Sequence, residues 1–304
     1  MRASHERRFR VMGSDAHLVV VGGRAQLVDD AAGRLADLEL RWSRFLLDSD
    51  ISKCNALAGR PVVVSPETLR LVTLAVAAWQ LTNGCFDPTV LTAVRDAGYD
   101  RDFPDAVQRA STHTPPRARP APGCSGIVCH DQRGTVTLPA HVQFDPGGIG
   151  KGLAADIVTE ELLAAGAAGA LVNVGGDVRA RGESPTGSTW TFAVDDATHP
   201  GVELLRLGLH DGAVATSSRL QRRWQTQTGA AHHLIDPTTG APALTPLVAV
   251  SAVTRDAWWA EVVAKAVLIG GWTVDAGDAL SARLVTVAED GTVECDDRIR
   301  AVAA

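Results

Sequence analysis

No apolar run in this 304-residue chain approaches the roughly 20 positions that a membrane-spanning helix needs. The opening MRASHERRFRVMGSD also lacks the apolar segment of a secretory signal, despite Arg7 and Arg8. These two gaps lead to the expectation of a cytoplasmic protein without membrane insertion. Excess basic charge is missing too: the formal net charge is −6 and the pI is near 5.8. A nucleic-acid partner would need a dense basic surface, so none is expected. The five cysteines, Cys54, Cys85, Cys124, Cys129 and Cys295, are odd in number and form no Cys-x-x-Cys pair. Reduced, mostly buried thiols are therefore expected. What remains is 45% hydrophobic and 21% charged, enough to bury a substantial core as one large domain or two closely joined ones.

Strand-like and helix-like segments alternate along the chain without an internal repeat. VMGSDAHLVVVGG reads as a strand bounded by glycines, and AQLVDDAAGRLADLELRWSRF carries apolar residues at helical spacing. SPETLRLVTLAVAAWQL predicts a helix from Pro66 through Leu81, with Ser65 as its cap and Pro66 at its first position. GIVCH, GTVTLP, GALVNVGGDVRARG and the stretches near Trp190 to Val194 and Val214 read as strands. A last clear helix is expected from about Ala257 to Leu268, capped by Asp256. Residues 101–123 are proline-rich and polar, which suggests a surface excursion or a lid. Mixed strands and helices without strict βαβ alternation imply an α+β fold, a largely antiparallel sheet with packed helices. The expected divisions are a basic tail over 1–10, a domain over 11–288 and a tail over 289–304.

The most informative segment is FDPGGIGKGLAADIV, residues 144–158. An extended approach ends in a turn of Gly147, Gly148 and Gly150, and Lys151 stands where a helix begins. Glycines admit a ligand close to the main chain, and a helix N-terminus offers unpaired N–H groups and partial positive charge. Phosphate or pyrophosphate is the expected guest, and a plain glycine turn capping a helix is the alternative. Two familiar phosphate motifs fail here. A Walker loop needs Ser or Thr where Gly152 stands, and Gly-x-Gly-x-x-Gly breaks at Leu153.

Polar clusters recur at the ends of other elements. GCFDPTV (84–90) places Phe86, Asp87 and Thr89 in a turn, and NVGGDVR (173–179) contains Asp177 and Arg179. AVATSS (213–218) supplies Thr216 and Ser217, and HHLIDPTTG (232–240) supplies His233 and Asp236. Singly, each is open to a structural reading as a turn, a cap or a satisfied donor. In this order, and together with MGS at 12–14, WSRFLLDSDISKCN at 42–55 and WWAEVVAKAVLIGG at 258–271, they resemble the ApbE family of flavin transferases. Members move FMN from FAD onto a Ser or Thr hydroxyl of another protein.

The resemblance implies a two-lobed body with FAD as substrate in a central cleft. It places Met12 and Phe45 around the flavin and adenine, with Phe86, Asp87, Thr89, Thr216 and Ser217 in or near the pocket. Asp145, Gly147, Gly148 and Lys151 would hold the nucleotide and its diphosphate. His233 is the candidate for proton handling, oriented by Asp236, and Lys151 would supply electrostatic catalysis. The resemblance also implies Mg²⁺, held by an Asp and a Thr four residues apart on the last helix and by the carbonyl of Gly148. This sequence has Glu261 and Lys265 at those helical places. A protonated lysine has no lone pair for a metal, so Mg²⁺ is expected to be weakened or partly replaced by Lys265. An ordinary Glu261–Lys265 helical ion pair is the alternative. The implied partner is an FMN-acceptor protein, because the nearest match to the family's acceptor motif, Thr228-Gly229-Ala230, continues with Ala231. A non-catalytic FAD carrier and a hydrolase giving FMN and AMP are the competing functions.

Overall fold

A computed structural model describes residues 2–100, 114–187, 189–199, 201–227, 229–270, 272–273 and 282–299. Most of the proline-rich stretch 101–123 lies outside the described residues. The strands are β1 (Ser4–Val11), β2 (Ser14–Val21), β3 (Pro61–Val63), β4 (Val128–His130), β5 (Thr135–Thr137), β6 (Gly169–Val174), β7 (Asp177–Gly182) and β8 (Trp190–Asp195). They continue with β9 (Glu203–Leu209), β10 (Asp211–Ser218), β11 (Arg223–Thr226), β12 (Gly229–His232), β13 (Leu247–Thr254), β14 (Arg283–Ala288) and β15 (Val293–Cys295). The helices are α1 (Leu27–Trp42), α2 (Asp50–Ala56), α3 (Pro66–Leu81), α4 (Leu91–Asp96), α5 (Gly150–Ala164) and α6 (Ala257–Ile269).

Eight strands form the main sheet in the order β1-β2-β6-β7-β10-β13-β14-β15, and every neighbouring pair is antiparallel. Successive side chains on a strand point to opposite faces, and both faces here are covered. Leu18, Val20, Val250 and Ala252 join the core beneath α1, α5 and α6. Their neighbours Val19, Val21 and Val253 meet Trp190, Phe192 and Leu207 of the β8–β9 hairpin on the other side. The first of these cores also takes in Leu71 and Val72 of α3 and Val62 and Val136 of the small β3-β5-β4 sheet. One apolar mass thus runs through both parts of the molecule. The α+β fold with a largely antiparallel sheet is as expected.

Strands fall within both segments expected as tails. Residues 1–10, expected as a basic tail, supply edge strand β1, where Arg7 pairs with Asp29, Arg8 with Glu6 and Arg10 with Asp15. Charge on such an edge discourages further strand pairing. Of residues 289–304, expected as a second tail, 289–299 are described and include β15 and the buried Ile299. Cys54 and Cys124 are buried, whereas Cys85, Cys129 and Cys295 are half-buried, and all five are free. Among the described residues no helix is long and apolar enough to cross a membrane.

Candidate functional site

The glycine turn is pinned before α5 starts. The Asn55 side chain brackets Phe144, accepting from its N–H at 2.7 Å and donating to its carbonyl at 3.0 Å. The Asp145 N–H donates to the Pro88 carbonyl at 2.7 Å, which ties this turn to GCFDPTV. A Cβ on Gly148 would lie 2.8 Å from Phe86 Cε2 and 2.9 Å from Lys265 Nζ, so only glycine fits. The amides expected to be bare are mostly engaged within the protein. Gly147 N–H donates to Asp145 Oδ1 at 2.9 Å, Ile149 and Gly150 N–H to the Pro146 carbonyl at 3.1 and 2.8 Å, and Gly152 N–H to Glu261 Oε2 at 2.9 Å. The structure corrects the expectation because a carboxylate from α6 reaches the helix end first.

That carboxylate belongs to an ionic cluster. Lys151 Nζ donates to Asp177 and, at 2.9 Å, to Glu261 Oε1. The two acidic side chains are only 3% and 2% exposed. Burial alone would lower the Lys151 pKa, but the attraction of Asp177 and Glu261 outweighs it and holds the ammonium above its ordinary value. Burial raises the Asp177 carboxyl, against the pull of Lys151. Lys265 differs. Its Nζ donates to the Gly147 carbonyl at 3.1 Å, and burial, together with repulsion from Lys151, lowers its pKa against the attraction of Glu261, Asp177 and Asp145. The alternative reading, a Glu261–Lys265 helical ion pair, gives way to these longer-range bonds, since both Glu261 oxygens are occupied by Lys151 and Gly152.

Beside this cluster lies a cavity of about 660 Å³, within the usual range for ligand pockets. Met12, Phe45, Phe86, Asp87, Asp145, Gly147, Gly148, Lys151 and His233 all line it, as does Lys265. Thr89, Thr216, Ser217 and Asp236 do not. Thr89 turns to the Asp87 carboxylate and accepts from Gly123 N–H, so it braces the turn. Thr216 shares a hydrogen bond with Ser251 at 2.7 Å inside the sheet, and Ser217 stands beside it on β10. Asp236 bonds the Thr238 and Thr239 side chains and the Thr238 N–H. Its carboxylate closes its own turn instead of orienting His233. Burial pushes the Asp87 carboxyl above its ordinary value.

His233 does face the cleft. Burial first, then Lys265 and Arg222, press its pKa well below the usual imidazole value, so it is neutral near pH 7 and able to accept a proton. Its Nδ1 is buried without a hydrogen-bond partner among the described residues.

The sequence reading missed the opposite wall. The Arg44 guanidinium lies 4.5 Å from the Phe45 ring centre and 4.7 Å from that of Tyr99, an arrangement that favours a desolvated cation. Its Nε is 3.7 Å from Asp145 Oδ2, which links this wall to the glycine turn. Tyr99 packs against Trp224 of β11, and the Arg222 side chain donates to the Tyr99 hydroxyl at 3.0 Å. Trp42, Leu234 and Ile235 complete the wall. The adjacency of Arg44 to Phe45 within one landmark was the available signal, but Tyr99 and Arg222 join it only through tertiary packing.

The cluster does not fit a divalent metal. Mg²⁺ demands close to six oxygen donors at short range, whereas both Glu261 oxygens are bonded to nitrogen and the Gly147 carbonyl accepts from Lys265. Two ammonium groups share the site, and no group of three or more His, Cys, Asp or Glu suited to a metal occurs among the described residues. Of the expected ligand pair of the Gly148 carbonyl and Glu261, the Glu261 oxygens are taken by Lys151 and Gly152.

Comparison with known proteins agrees with the geometry. The sequence profile of the ApbE family matches residues 12–286. An FAD:protein FMN transferase of Treponema pallidum is 31% identical over 242 residues, covering 74% of this chain and 66% of the relative. Another, from Vibrio cholerae, is 27% identical over 245 residues, covering 78% and 71%. Among solved structures, the ApbE protein of Thermotoga maritima superposes with a TM-score of 0.84 at 25% identity, covering 99% of this chain and 100% of that one. The Vibrio cholerae flavin transferase ApbE shares the fold with a TM-score of 0.79 at 21% identity. With about nine-tenths of its length inside the family profile and the cleft landmarks converging in space, the chain belongs to the ApbE family.

Proposed function

We propose that the protein is an FAD:protein FMN transferase that moves FMN from FAD onto a Ser or Thr hydroxyl of a separate acceptor protein. The observation that carries this reading is the composition of the cleft. It is walled by aromatic and aliphatic surface suited to ring systems, and its lining holds Arg10, Arg44, Lys151, Arg222 and Lys265 against Glu39, Asp87 and Asp145. Lys151 is taken up by Asp177 and Glu261, which leaves Arg44, Arg222 and Lys265 on the cleft walls as the cations that suit an anionic dinucleotide. In the reaction the acceptor oxygen attacks the phosphorus on the FMN side of the diphosphate. The P–O bond to AMP breaks, AMP leaves with the bonding pair, and a phosphoester joins flavin to acceptor. Neutral His233 takes the hydroxyl proton. Arg44 and the glycine turn orient the nucleotide, and the cations of the cleft offset charge on the leaving phosphate. No step is assigned to a metal.

The test is incubation with FAD in the presence and absence of an FMN-accepting domain, followed by assay for AMP, free FMN and fluorescent acceptor. AMP together with labelled acceptor is expected, and His233→Ala should lower the rate by about 10²-fold or more. AMP with free FMN would make the protein a hydrolase, and neither product would leave it an FAD carrier.

A further inference from the structure

We propose that Lys265 is a built-in cation for the FAD diphosphate, so that this chain binds and turns over its nucleotide without a divalent metal. The proposal rests on the transferase reading above and deepens it. Two lysines and two carboxylates meet at the cleft floor, and they are unequally matched. Lys151 Nζ is committed to two buried carboxylates, Asp177 and Glu261. Lys265 lines the same cleft, and its Nζ is held at 3.1 Å by a neutral partner, the Gly147 carbonyl. An ammonium carries three donors, and that carbonyl occupies one of them. Glycine at position 148 leaves room for the side chain, whose Nζ and Cδ pass 2.9 and 3.2 Å from where a Cβ would stand.

This amine sits against the turn that opens α5, where Glu261 already takes up the Gly152 amide, so the lysine side chain and not a row of bare amides faces the place a phosphate would take. Both influences that depress the Lys265 pKa, burial and the nearby Lys151, are countered once a phosphate anion lies beside it. A divalent ion at this floor would meet two ammonium groups and carboxylate oxygens already bonded to nitrogen. The same residues that exclude a metal thus supply the charge a metal would bring.

The experiment compares FAD binding and AMP release by the full chain in EDTA and in millimolar Mg²⁺, and repeats binding with riboflavin, which lacks phosphate. Wild type is expected to keep both activities in EDTA within about threefold, on the scale where tenfold is about 1.4 kcal/mol. Lys265→Gln is expected to weaken FAD binding by about tenfold or more while leaving riboflavin binding unchanged. Lys265→Arg, which keeps the charge, should retain most of the FAD affinity, and thermal unfolding confirms that the variants are folded. Loss of wild-type FAD binding in EDTA with recovery in Mg²⁺ overturns the proposal, as does an equal loss of FAD and riboflavin affinity in Lys265→Gln. If FAD binds in EDTA through Lys265 but no AMP forms under any condition, the diphosphate contact stands and the transferase reading falls.

Discussion

Two helix N-termini in this molecule are capped by a carboxylate borrowed from the other helix, yet only one of them opens on the cleft. At the start of α6 the two Asp156 oxygens of α5 accept from Ala257 and Trp258 N–H, each at 2.9 Å. At the start of α5, Glu261 of α6 accepts from Gly152 N–H at 2.9 Å. Position 156 faces 257 while 152 faces 261, so the helices run antiparallel and lock each other's ends. Gly152 makes the approach possible, since a Cβ there would lie 2.3 Å from the Ala257 carbonyl oxygen. The two ends differ in how their cations are used. Arg179, behind Asp156, is 3.3 Å from that carboxylate, 2.5 Å from Asp211, and bonded to the carbonyls of Ala180 and Gly212. At the cleft end Lys151 is similarly consumed, while Lys265 retains donors. The same capping device thus leaves a lysine with open donors only at the end that lines the cleft.

Breaking the cleft end should have the largest effect. Lys151→Ala leaves Asp177 and Glu261 buried beside each other without their shared cation, and removing one partner of a buried ion pair costs about 3–5 kcal/mol. Denaturant unfolding should show that loss. The double variant Lys151→Met with Asp177→Asn should lose less than the sum of the single changes, because one uncompensated charge disappears with its partner. A Lys151→Ala loss below about 1 kcal/mol would mean that the cluster is open to water.

The closed end should answer with stability and little else. Asp156→Ala removes a cap from one buried and one part-buried amide, at about 2 kcal/mol, while FAD affinity below the unfolding transition stays within about twofold. Its pH dependence has a definite sign. Burial pushes the Asp156 carboxyl up to about 7, against the pull of the Ala257 and Trp258 amides and of Arg179. The folded state therefore holds this proton at pH values where the unfolded chain, with an ordinary pKa of about 3.9, has released it. The associated stability is complete below about pH 4 and is lost as pH rises through about 7. Thermal unfolding from pH 5 to 8 should show that decline in the parent and a flatter profile in Asp156→Ala. Equal slopes in the two proteins would assign the titration elsewhere.

These two ends also mark what the sequence could and could not reveal. Helix α3 was legible in full, from Pro66 to Leu81, because its signals are local: Ser65 accepts from the Thr68 N–H as a cap should. The apolar run bounded by glycines likewise announced β2, whereas β13 (Leu247–Thr254) was not read from the sequence. The partners of Glu261 and Lys265 were not legible. Their spacing of four suggested a pair on one helix face, but they bond residues 110 and 118 positions away. Packing of α5 on α6 decides that choice, and no local pattern encodes it. Thr216 and Asp236 misled for the opposite reason: their family landmarks are present, while their side chains are spent on Ser251 and on a turn. The cleft's Arg44–Tyr99 wall joins segments 55 positions apart, a contact visible only once the chain is folded.

The smallest expected effect sharpens the comparison most. Asp256 precedes α6 and was the expected cap, the residue type favoured at that place. In the structure its side chain makes no capping bond, because Asp156 already holds the first amides. What Asp256 contributes through its backbone survives substitution: its carbonyl accepts from Ala260 N–H at 3.1 Å and from the Thr254 hydroxyl at 2.7 Å. Two electrostatic consequences of its charge oppose each other. A carboxylate near a helix N-terminus is favourable by about 0.3–1 kcal/mol, but this one also repels Asp156 and helps to raise its pKa. Asp256→Ala should therefore change stability by no more than about 0.5 kcal/mol at pH 7, against about 2 kcal/mol for Asp156→Ala. If the two substitutions cost the same, the borrowed cap is no stronger than a local one and the reciprocal lock between the helices fails as an account of how the cleft floor is held.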